Sequence, residues 1–233
     1  NGKLYLSRIG QVRIFLHRPI EGTIERLTIK YDGGEWYATF LVERKEIRKP
    51  TLKSIPDDKI RGGDLGLLSF ITLDNSESAE YPKFLRQSEQ KINLLQRRLS
   101  TKENGSKRYR SIAFNLARMH LHVTRQREDW QNKLILSLLK NADVLVLEKL
   151  NIGNMLHNHS LARSISDVSW GKFSAKAVCK AAALGKWVLY IDPWGTTQFC
   201  CNCLTWVPKG LSERSHGCPN CNAKLPRDVN SAK

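Results

Sequence analysis

Val144-Leu145-Val146-Leu147-Glu148 is the stretch of sequence that decides the fold. Four apolar residues in an unbroken run are typical of a strand buried on both faces, as in a partly parallel sheet. A helical pattern follows at about 170–184, and a second apolar run, Trp187–Ile191, comes directly after it. The order strand, helix, strand predicts an α/β layer with Glu148 at the end of one strand.

Two strands and a helical hairpin are predicted before this layer. Residues 60–64 and 68–73 have the pattern of strands, and the apolar period then changes to 3.6 residues over about 84–99 and 111–140. The connection at 101–106 is short and polar. We therefore expect two antiparallel helices inserted into the α/β domain.

The start of the chain is rich in β-structure. Alternating Val12, Ile14 and Leu16 predict one strand, and residues 24–29 and 36–42 predict two more, joined by a turn at Asp32-Gly33-Gly34. A polar segment with two prolines follows at 48–59 and indicates a linker between domains.

The charge of the chain indicates its partner. Lys and Arg number 38 against 22 for Asp and Glu, which gives a formal net charge of +16. Such an excess is typical of a surface that neutralises phosphates, so we predict a nucleic-acid partner. No run of the sequence approaches 18 apolar residues, which argues against a membrane partner. The glycines around Asp64 do not have the G-x-G-x-x-G spacing, so a dinucleotide site is excluded and no small-molecule substrate is expected.

Four cysteines are spaced for a metal. Cys200-x2-Cys203 and Cys218-x2-Cys221 each place two thiolates on one knuckle, so four sulfurs can surround one Zn²⁺. Such a closed site is structural, because no ligand position remains for water. The alternative is a pair of disulfides, which the clustering of the cysteines disfavours. The clustering of the cysteines indicates a reducing, cytoplasmic setting, in which disulfides are rare.

Separated carboxylates suggest a second metal site, for Mg²⁺ or Mn²⁺. Phosphodiester hydrolysis needs an activated water and charge neutralisation, and metals held by carboxylates supply both. Asp64 lies between glycines that allow close approach, and Glu148 ends a buried strand. Asp228 and Asp192 compete for the third position: Asp192 also ends a strand, whereas Asp228 follows Pro226 near a predicted helix start. Spacing alone leaves both open.

Basic residues decorate the predicted helical hairpin. A solvated helix face and phosphate contact are both compatible with this pattern, and few acids compensate the charge. We take six of these residues as candidates for nucleic-acid binding: Arg97, Arg98, Lys107, Arg108, Arg118 and Arg125. Arg110 and Arg127 belong to the same basic set.

Five ordered motifs resemble those of TnpB-type, transposon-encoded RNA-guided DNA nucleases (the OrfB family), which are related to type V CRISPR effectors. They are Asp64-Leu65-Gly66, Val146-Leu147-Glu148-Lys149-Leu150, Ser169-Trp170-Gly171, Thr197-Gln198-Phe199-Cys200 and Arg227-Asp228-Val229-Asn230. The resemblance implies an RNase H-like (RuvC) fold, split by a helical insertion and a zinc ribbon. It also implies that Asp64, Glu148 and Asp228 hold the catalytic metals, in preference to Asp192. A guide RNA and target double-stranded DNA are the implied partners, in the cytoplasm of a prokaryote, with the nuclease at the nucleoid when bound to DNA.

The resemblance implies a domain scheme for the chain. Residues 1–47 form a fragment of a wedge domain, 48–59 a linker, and 60–195 the RuvC-like domain with its helical insertion at 82–140. Residues 196–223 form the zinc ribbon and 224–233 the final RuvC segment. Because the chain starts at Asn1 and lacks the family's N-terminal target-recognition region, we expect it to be a piece of a longer protein.

The chain departs from the family pattern at a few positions. Gly63 replaces a bulky aliphatic residue, Pro226 replaces a common acid, and Leu204 and Asn222 replace glycines after the knuckles. Glycine weakens a strand, and leucine adopts the left-handed conformation only with strain. These departures leave open a nuclease-inactive, RNA-guided repressor as an alternative. A second alternative, a transposase that itself joins strands, is suggested by the same fold and carboxylate chemistry.

Overall fold

The computed structural model describes residues 2–45, 47–210 and 212–233. The chain forms two compact units, Asn1–Glu46 and Ile47–Lys233. Within the described residues, no helix is both long enough and apolar enough to cross a membrane.

The first unit consists of two antiparallel hairpins. Their strands are β1 (Gly2–Leu6) with β2 (Gly10–Ile14), and β3 (Thr23–Asp32) with β4 (Glu35–Glu43). Gly33 and Gly34 form the two-residue turn of the second hairpin with φ of 57° and 92°, which confirms the predicted turn. β2 ends at Ile14, so the expectation that Leu16 continues this strand is wrong.

The second unit is built on a mixed five-stranded sheet with the order β7-β6-β5-β8-β9. Its strands are β5 (Ile60–Leu65), β6 (Ile71–Leu73), β7 (Ser78–Ala79), β8 (Val144–Glu148) and β9 (Trp187–Ile191). β5, β8 and β9 run parallel, whereas β6 is antiparallel to β5 and β7. The predicted α/β layer is confirmed.

Six α-helices accompany the sheet in the described part of this unit. They are α1 (Phe84–Ser100), α2 (Lys107–Asn141), α3 (Ile152–Leu156), α4 (His159–Val168), α5 (Trp170–Ala183) and α6 (Arg227–Ala232). α1 and α2 form the predicted hairpin. α2 begins four residues earlier than expected because the Ser106 hydroxyl accepts a hydrogen bond from the Tyr109 N–H, 3.1 Å long, and caps it.

The core lies where α2 and α5 pack on the sheet. Phe70 makes edge-to-face contacts with Trp130 and Phe173, both at 4.8 Å between ring centroids. Residues of β8 and α2 complete the core, among them Leu145, Leu147, Ile135 and Leu139. These contacts bury the strand that carries Glu148, so its position at the strand end is fixed by packing.

Residues 48–59 contain two 3₁₀ turns, Leu52–Ser54 and Asp57–Lys59. The segment packs against β9: Trp187 Nε1 donates to the Pro50 carbonyl at 2.9 Å, and Lys49 Nζ lies 4.3 Å from the Trp187 ring centroid. The stretch predicted as a linker is thus attached to the second unit.

Candidate active site and metal centre

Asp64 and Glu148 lie on neighbouring parallel strands. Gly63 of β5 pairs with Leu147 of β8, so the next residue of each strand is a carboxylate at the same level of the sheet. The carboxyl ends of parallel strands are where α/β sheets place their ligands. The register therefore brings the first two predicted acids together.

Asp228 reaches the same region from α6. It lies in the first turn of this helix, two residues after Pro226, near the helix start that the sequence predicted. α6 packs on β5 so closely that a Cβ atom added to Gly62 would lie 1.8 Å from the Ala232 carbonyl oxygen. A glycine at 62 is thus what lets α6 bring Asp228 towards Asp64.

The electrostatics show that the three carboxylates interact. Burial and, after it, the negative charges of Glu148 and Asp228 together raise the pKa of Asp64 to about 7, although the charge of Arg227 and a hydrogen bond from Ser231 lower it. A buried carboxylate among like charges is disfavoured in its ionised form, and a bound cation relieves that cost. The three acids have the charge arrangement of a cation site.

Their spacing is wider than that of a single shared ligand shell. Among the described residues, the four cysteines form the only group of three or more potential ligands whose atoms all lie within 4.8 Å of one another. The carboxylates do not form such a group.

Neighbouring side chains orient two of the carboxylates. The hydroxyl of Ser231 donates to Glu148 Oε1 at 2.9 Å, and the hydroxyl of Thr196 donates to the same oxygen. Arg227 donates from Nε and Nη2 to Asp228 Oδ1, both at 3.1 Å. Sequence reasoning missed these roles. Ser231 lies three residues after Asp228 on one helix and was detectable by helical spacing, whereas nothing local indicated Thr196.

Asp192 has a different role in the structure. It is exposed after β9, and its Oδ1 accepts a hydrogen bond of 2.8 Å from the Trp194 N–H. This is a local turn in which an aspartate bonds the backbone two residues further on.

Neighbouring side chains fill the space that the missing side chain of Gly63 leaves. A Cβ atom there would lie 2.7 Å from Ile71 Cδ1 and 3.2 Å from Leu147 Cδ2. The buried Ile71 side chain therefore occupies the space that a larger residue at 63 would need. The strand keeps its pairing on both sides despite the glycine.

A cavity of about 310 Å³ adjoins this region. Its lining includes Glu148, Ser231, Gly62 and Asp74, but neither Asp64 nor Asp228. The cavity thus contacts only one of the three acids. The candidate site is therefore located from the pairing of β5 with β8 and from the effects of Glu148 and Asp228 on the pKa of Asp64.

The four predicted cysteines come together in the segment 196–223, which we call the ribbon. Cys200 Sγ lies 3.6 Å from Cys221 Sγ, and Cys203 Sγ lies 3.5 Å from Cys218 Sγ. A tetrahedral zinc with Zn–S bonds of about 2.3 Å separates its sulfurs by roughly 3.8 Å, so the cluster has the right size for a metal such as zinc. Hydrogen bonds with the side chain and the backbone of Thr205 lower the pKa of Cys203 to about 6, whereas the hydrogen bond with Cys203 and burial raise that of Cys221 to about 12. Without a metal, the clustered thiols thus share protons, and a bound cation would favour their thiolates.

Both knuckles have the same backbone geometry. The N–H of Leu204 donates to the Cys200 carbonyl at 2.9 Å, and the N–H of Asn222 donates to the Cys218 carbonyl at 3.0 Å. Leu204 and Asn222 have φ of 58° and 57°. Both residues thus adopt the left-handed conformation, which asparagine tolerates and which is strained for leucine.

Asn230 joins the ribbon to α6. Its side chain is buried, its Oδ1 accepts from the Cys201 N–H at 3.0 Å, and its Nδ2 donates to the Phe199 carbonyl at 2.7 Å. One amide thus ties the first knuckle to the helix that carries Asp228. The motif around Asp228 contained Asn230, but its role emerged only from the structure.

The predicted nucleic-acid contacts are all exposed on α1 and α2, namely Arg97, Arg98, Lys107, Arg108, Arg118 and Arg125. Arg127 differs from them. Its guanidinium is only 13% exposed and donates to Asp167 Oδ1 at 2.7 Å, while the Tyr81 hydroxyl donates to the same oxygen at 3.0 Å. Arg127 therefore belongs to a buried network that joins α2 to the end of α4.

Two family models match the chain. The model OrfB_IS605, described as a probable transposase, matches residues 42–159, and the model described as Cas12f1-like, TNB domain, matches residues 170–233. The first match covers half of the chain and includes Asp64 and Glu148. The chain belongs to the OrfB_IS605 family. It is a TnpB-type protein related to type V effectors.

Curated relatives of this OrfB_IS605 protein carry consistent names. It is 30% identical to a protein of Streptomyces pristinaespiralis named "Putative RNA-guided DNA endonuclease", over all of this chain and 58% of the relative. It is 26% identical to InsQ of Escherichia coli K12, which carries the same name, over all of this chain and 61% of the relative. The chain thus spans about three fifths of the length of these relatives.

Solved structures show the same fold. The Cas12f1 protein in a complex with sgRNA and target DNA aligns with 88% of this chain and 54% of its own length, at a TM-score of 0.50 and 16% identity. The protein of a CRISPR-Cas12f ternary complex aligns with 84% of this chain and 41% of its own length, at a TM-score of 0.52 and 17% sequence identity. The α/β fold with its mixed sheet and cysteine cluster resembles that of Cas12f1.

Proposed function

We propose that this protein is an RNA-guided, divalent-metal-dependent DNA endonuclease encoded by a transposable element. The proposal is supported most by the placement of Asp64 and Glu148 at neighbouring strand ends with Asp228 on the adjacent helix α6, where burial and the charges of the other two acids raise the pKa of Asp64. The names of the relatives and the likeness to Cas12f1 support it. On this proposal the second unit is an RNase H-like (RuvC) nuclease domain with an inserted helical hairpin and a ribbon.

In this proposal the three acids hold the catalytic ions, and different neighbouring side chains orient Glu148 and Asp228. Mg²⁺ or Mn²⁺, when bound, supplies an activated water and neutralises charge on the phosphate. All three acids would hold the ions, and the charges of both Glu148 and Asp228 act on Asp64. Glu148 is held through Oε1 by Thr196 and Ser231, which leaves Oε2 for an ion. Arg227 fixes Asp228 in a corresponding way.

The cysteine cluster is proposed to bind one structural Zn²⁺. Its four sulfurs use every position of a tetrahedral ion, so the ion has no site for water. Because Asn230 joins the first knuckle to α6, the zinc also stabilises the position of Asp228. Zinc thus supports the acid site without taking part in hydrolysis.

The exposed basic residues of α1 and α2 are proposed to contact phosphates of the guide RNA and the target double-stranded DNA. A net charge of +16 suits two polyanions. In RNA-guided recognition, base pairing reads the sequence and the protein grips the backbones. The six exposed cations would then contribute affinity without sequence preference.

The test compares the protein, purified with the RNA that copurifies with it, with its Asp64→Ala variant. Target DNA is chosen to match that RNA, and cleavage is followed with Mg²⁺. We expect cleavage by the original protein and none by the variant, with DNA binding retained in both. Equal cleavage by both proteins would refute the proposal. Binding without cleavage by the original would favour a repressor, and strand-transfer products would favour a transposase that joins strands.

A further inference from the structure

An exposed aromatic cluster lies beside the acid site. Trp194, Phe199 and Trp206 pack on one another, with the two indoles stacked at 5.5 Å between centroids and 24° between planes. Trp194 nevertheless remains 72% exposed and Trp206 42% exposed. Two tryptophans in mutual contact that expose this much ring surface have a face available for a ligand.

The backbone is shaped to hold this cluster. Phe199 and Trp206 pair across an isolated antiparallel bridge. Gly195 has φ of 77°, and a Cβ atom there would lie 2.7 Å from the Phe199 ring and 3.2 Å from the Trp206 ring. The rings thus pack directly against the backbone at Gly195, and their positions are fixed.

The cluster is linked to the carboxylates through two short connections. Thr196, whose hydroxyl donates to Glu148, is two residues from Trp194, so their Cα atoms are at most about 7 Å apart. On the other side, Asn230 of α6 donates to the carbonyl of Phe199. The aromatic face therefore keeps a fixed relation to both Glu148 and the helix of Asp228.

We propose that Trp194 and Trp206 form a stacking platform for the bases of a single-stranded stretch of DNA that enters the acid site. This inference rests on the proposed function. An indole face binds any base by stacking, whereas the bases of a duplex are already stacked on each other and offer no free face. The net charge of +16 favours a polyanion over an apolar protein segment as the occupant. The platform thus selects single-stranded substrate and positions its phosphates at the carboxylates.

The test measures binding without cleavage. The zinc-loaded protein is titrated, in buffer free of Mg²⁺ and Mn²⁺, into a fluorescent thymidine oligonucleotide of about 12 nucleotides, a length within the range of single-strand sites. A second oligonucleotide has the same phosphates but no bases. We expect Trp194→Ala to weaken binding of the first about tenfold and of the second hardly at all. Trp194→Phe should retain most of the affinity, since it keeps a ring face.

The control is Trp36→Ala, which removes a similarly exposed tryptophan, 73% accessible, from the first unit. It should leave the affinity within twofold. The platform is refuted if Trp194→Ala binds the thymidine oligonucleotide like the original, if both oligonucleotides lose affinity equally, or if Trp36→Ala has the same effect. A change from dimer to monomer in Trp194→Ala with unchanged affinity would instead assign the surface to a second copy of the chain. Because this assay contains neither Mg²⁺ nor Mn²⁺ and measures binding alone, it can fail while Asp64-dependent cleavage still succeeds.

Discussion

Asp64 is a half-buried acid whose carboxylate feels the charges of two other acids. Its folded-state pKa of about 7 lies above the ordinary value of 3.8, so the folded protein binds a proton here more tightly than the unfolded chain. Stability therefore falls as pH rises through the window between those two values. A divalent cation replaces the proton and reverses the effect.

The first prediction concerns this pH dependence. In zinc-loaded protein without Mg²⁺, the free energy of unfolding from urea titrations should decrease between pH 5.5 and about 7 more steeply than in Asp64→Asn, which cannot titrate. Adding Mg²⁺ should remove most of the difference between the two proteins. Parallel pH profiles without Mg²⁺ would show that the Asp64 carboxyl is not perturbed.

The second prediction concerns Leu204, whose φ of 58° is unfavourable for a side chain with a Cβ. Leu204→Gly should stabilise the ribbon by about 1 kcal/mol, because the exposed leucine loses little packing and the strain disappears. Asn222→Gly is the control and should change less, since asparagine tolerates this conformation. Thermal loss of the cobalt–thiolate absorption in Co²⁺-loaded protein measures the ribbon directly. A lower transition temperature in Leu204→Gly would contradict the argument.

At the scale of elements, a buried ion pair joins the inserted hairpin to the rest of the second unit. Arg127 of α2 and Asp167 of α4 are 13% and 9% exposed in their side chains, and the Tyr81 hydroxyl also donates to the Asp167 backbone carbonyl at 2.9 Å. Close by, Gln131 Nε2 donates to the Val168 carbonyl at 3.2 Å. Four polar groups thus fix α2 against the end of α4.

The third prediction follows from this network. Arg127→Ala should destabilise the second unit by about 3–5 kcal/mol, because it leaves the Asp167 carboxylate buried without its cation. Arg118→Ala, an exposed arginine on the same helix, should change stability by less than about 0.5 kcal/mol. Adding Asp167→Asn to Arg127→Ala should recover part of the loss, since it removes the unpaired charge. Urea titrations measure the free energy of unfolding of each variant. Equal losses of stability in Arg127→Ala and Arg118→Ala would refute the role of the ion pair.

The elements best predicted from sequence are those with long periodic patterns. β8, β9, α1, α2 and α5 were placed to within a few residues, because burial imposes their apolar period. α3 and α4 were not predicted, because their 5 and 10 residues are too few for a clear apolar period. Their asparagine caps, Asn151 and Asn158, were helix-start signals that the sequence offered. The contacts of Thr196, Ser231 and Asn230 were missed because each depends on residues distant in sequence. A pattern along the chain records which face is buried, not which distant polar groups meet.

At the scale of the whole molecule, the excess of positive charge is concentrated in part on the inserted hairpin. Arg97 and Arg98 are exposed near the end of α1, and Lys107 and Arg108 are exposed at the start of α2. The connection between the helices places these four cations at one end of the hairpin. Like charges gathered at one end of a surface element strengthen its attraction for phosphates.

The fourth prediction concerns salt dependence. Arg97→Ala combined with Arg98→Ala should weaken DNA binding at low salt and reduce the slope of log K against log salt by about 0.7 to 0.9 for each phosphate that the variant no longer neutralises. Lys133→Ala is the control, because Lys133 is exposed but already paired with Asp129 at 2.7 Å. Binding curves at several salt concentrations provide the slope. An unchanged slope in the double variant would show that these arginines form only a solvated face.

The central claim is that Asp64, Glu148 and Asp228 together hold the catalytic ions. Anomalous diffraction from crystals of the zinc-loaded protein soaked in Mn²⁺ tests it most directly, because the manganese and zinc absorption edges distinguish the two metals. We predict manganese contacted by oxygens of these three acids, and zinc alone among Cys200, Cys203, Cys218 and Cys221. Manganese bound at Asp192 with none at Asp228, or no manganese at the three acids, would contradict the account.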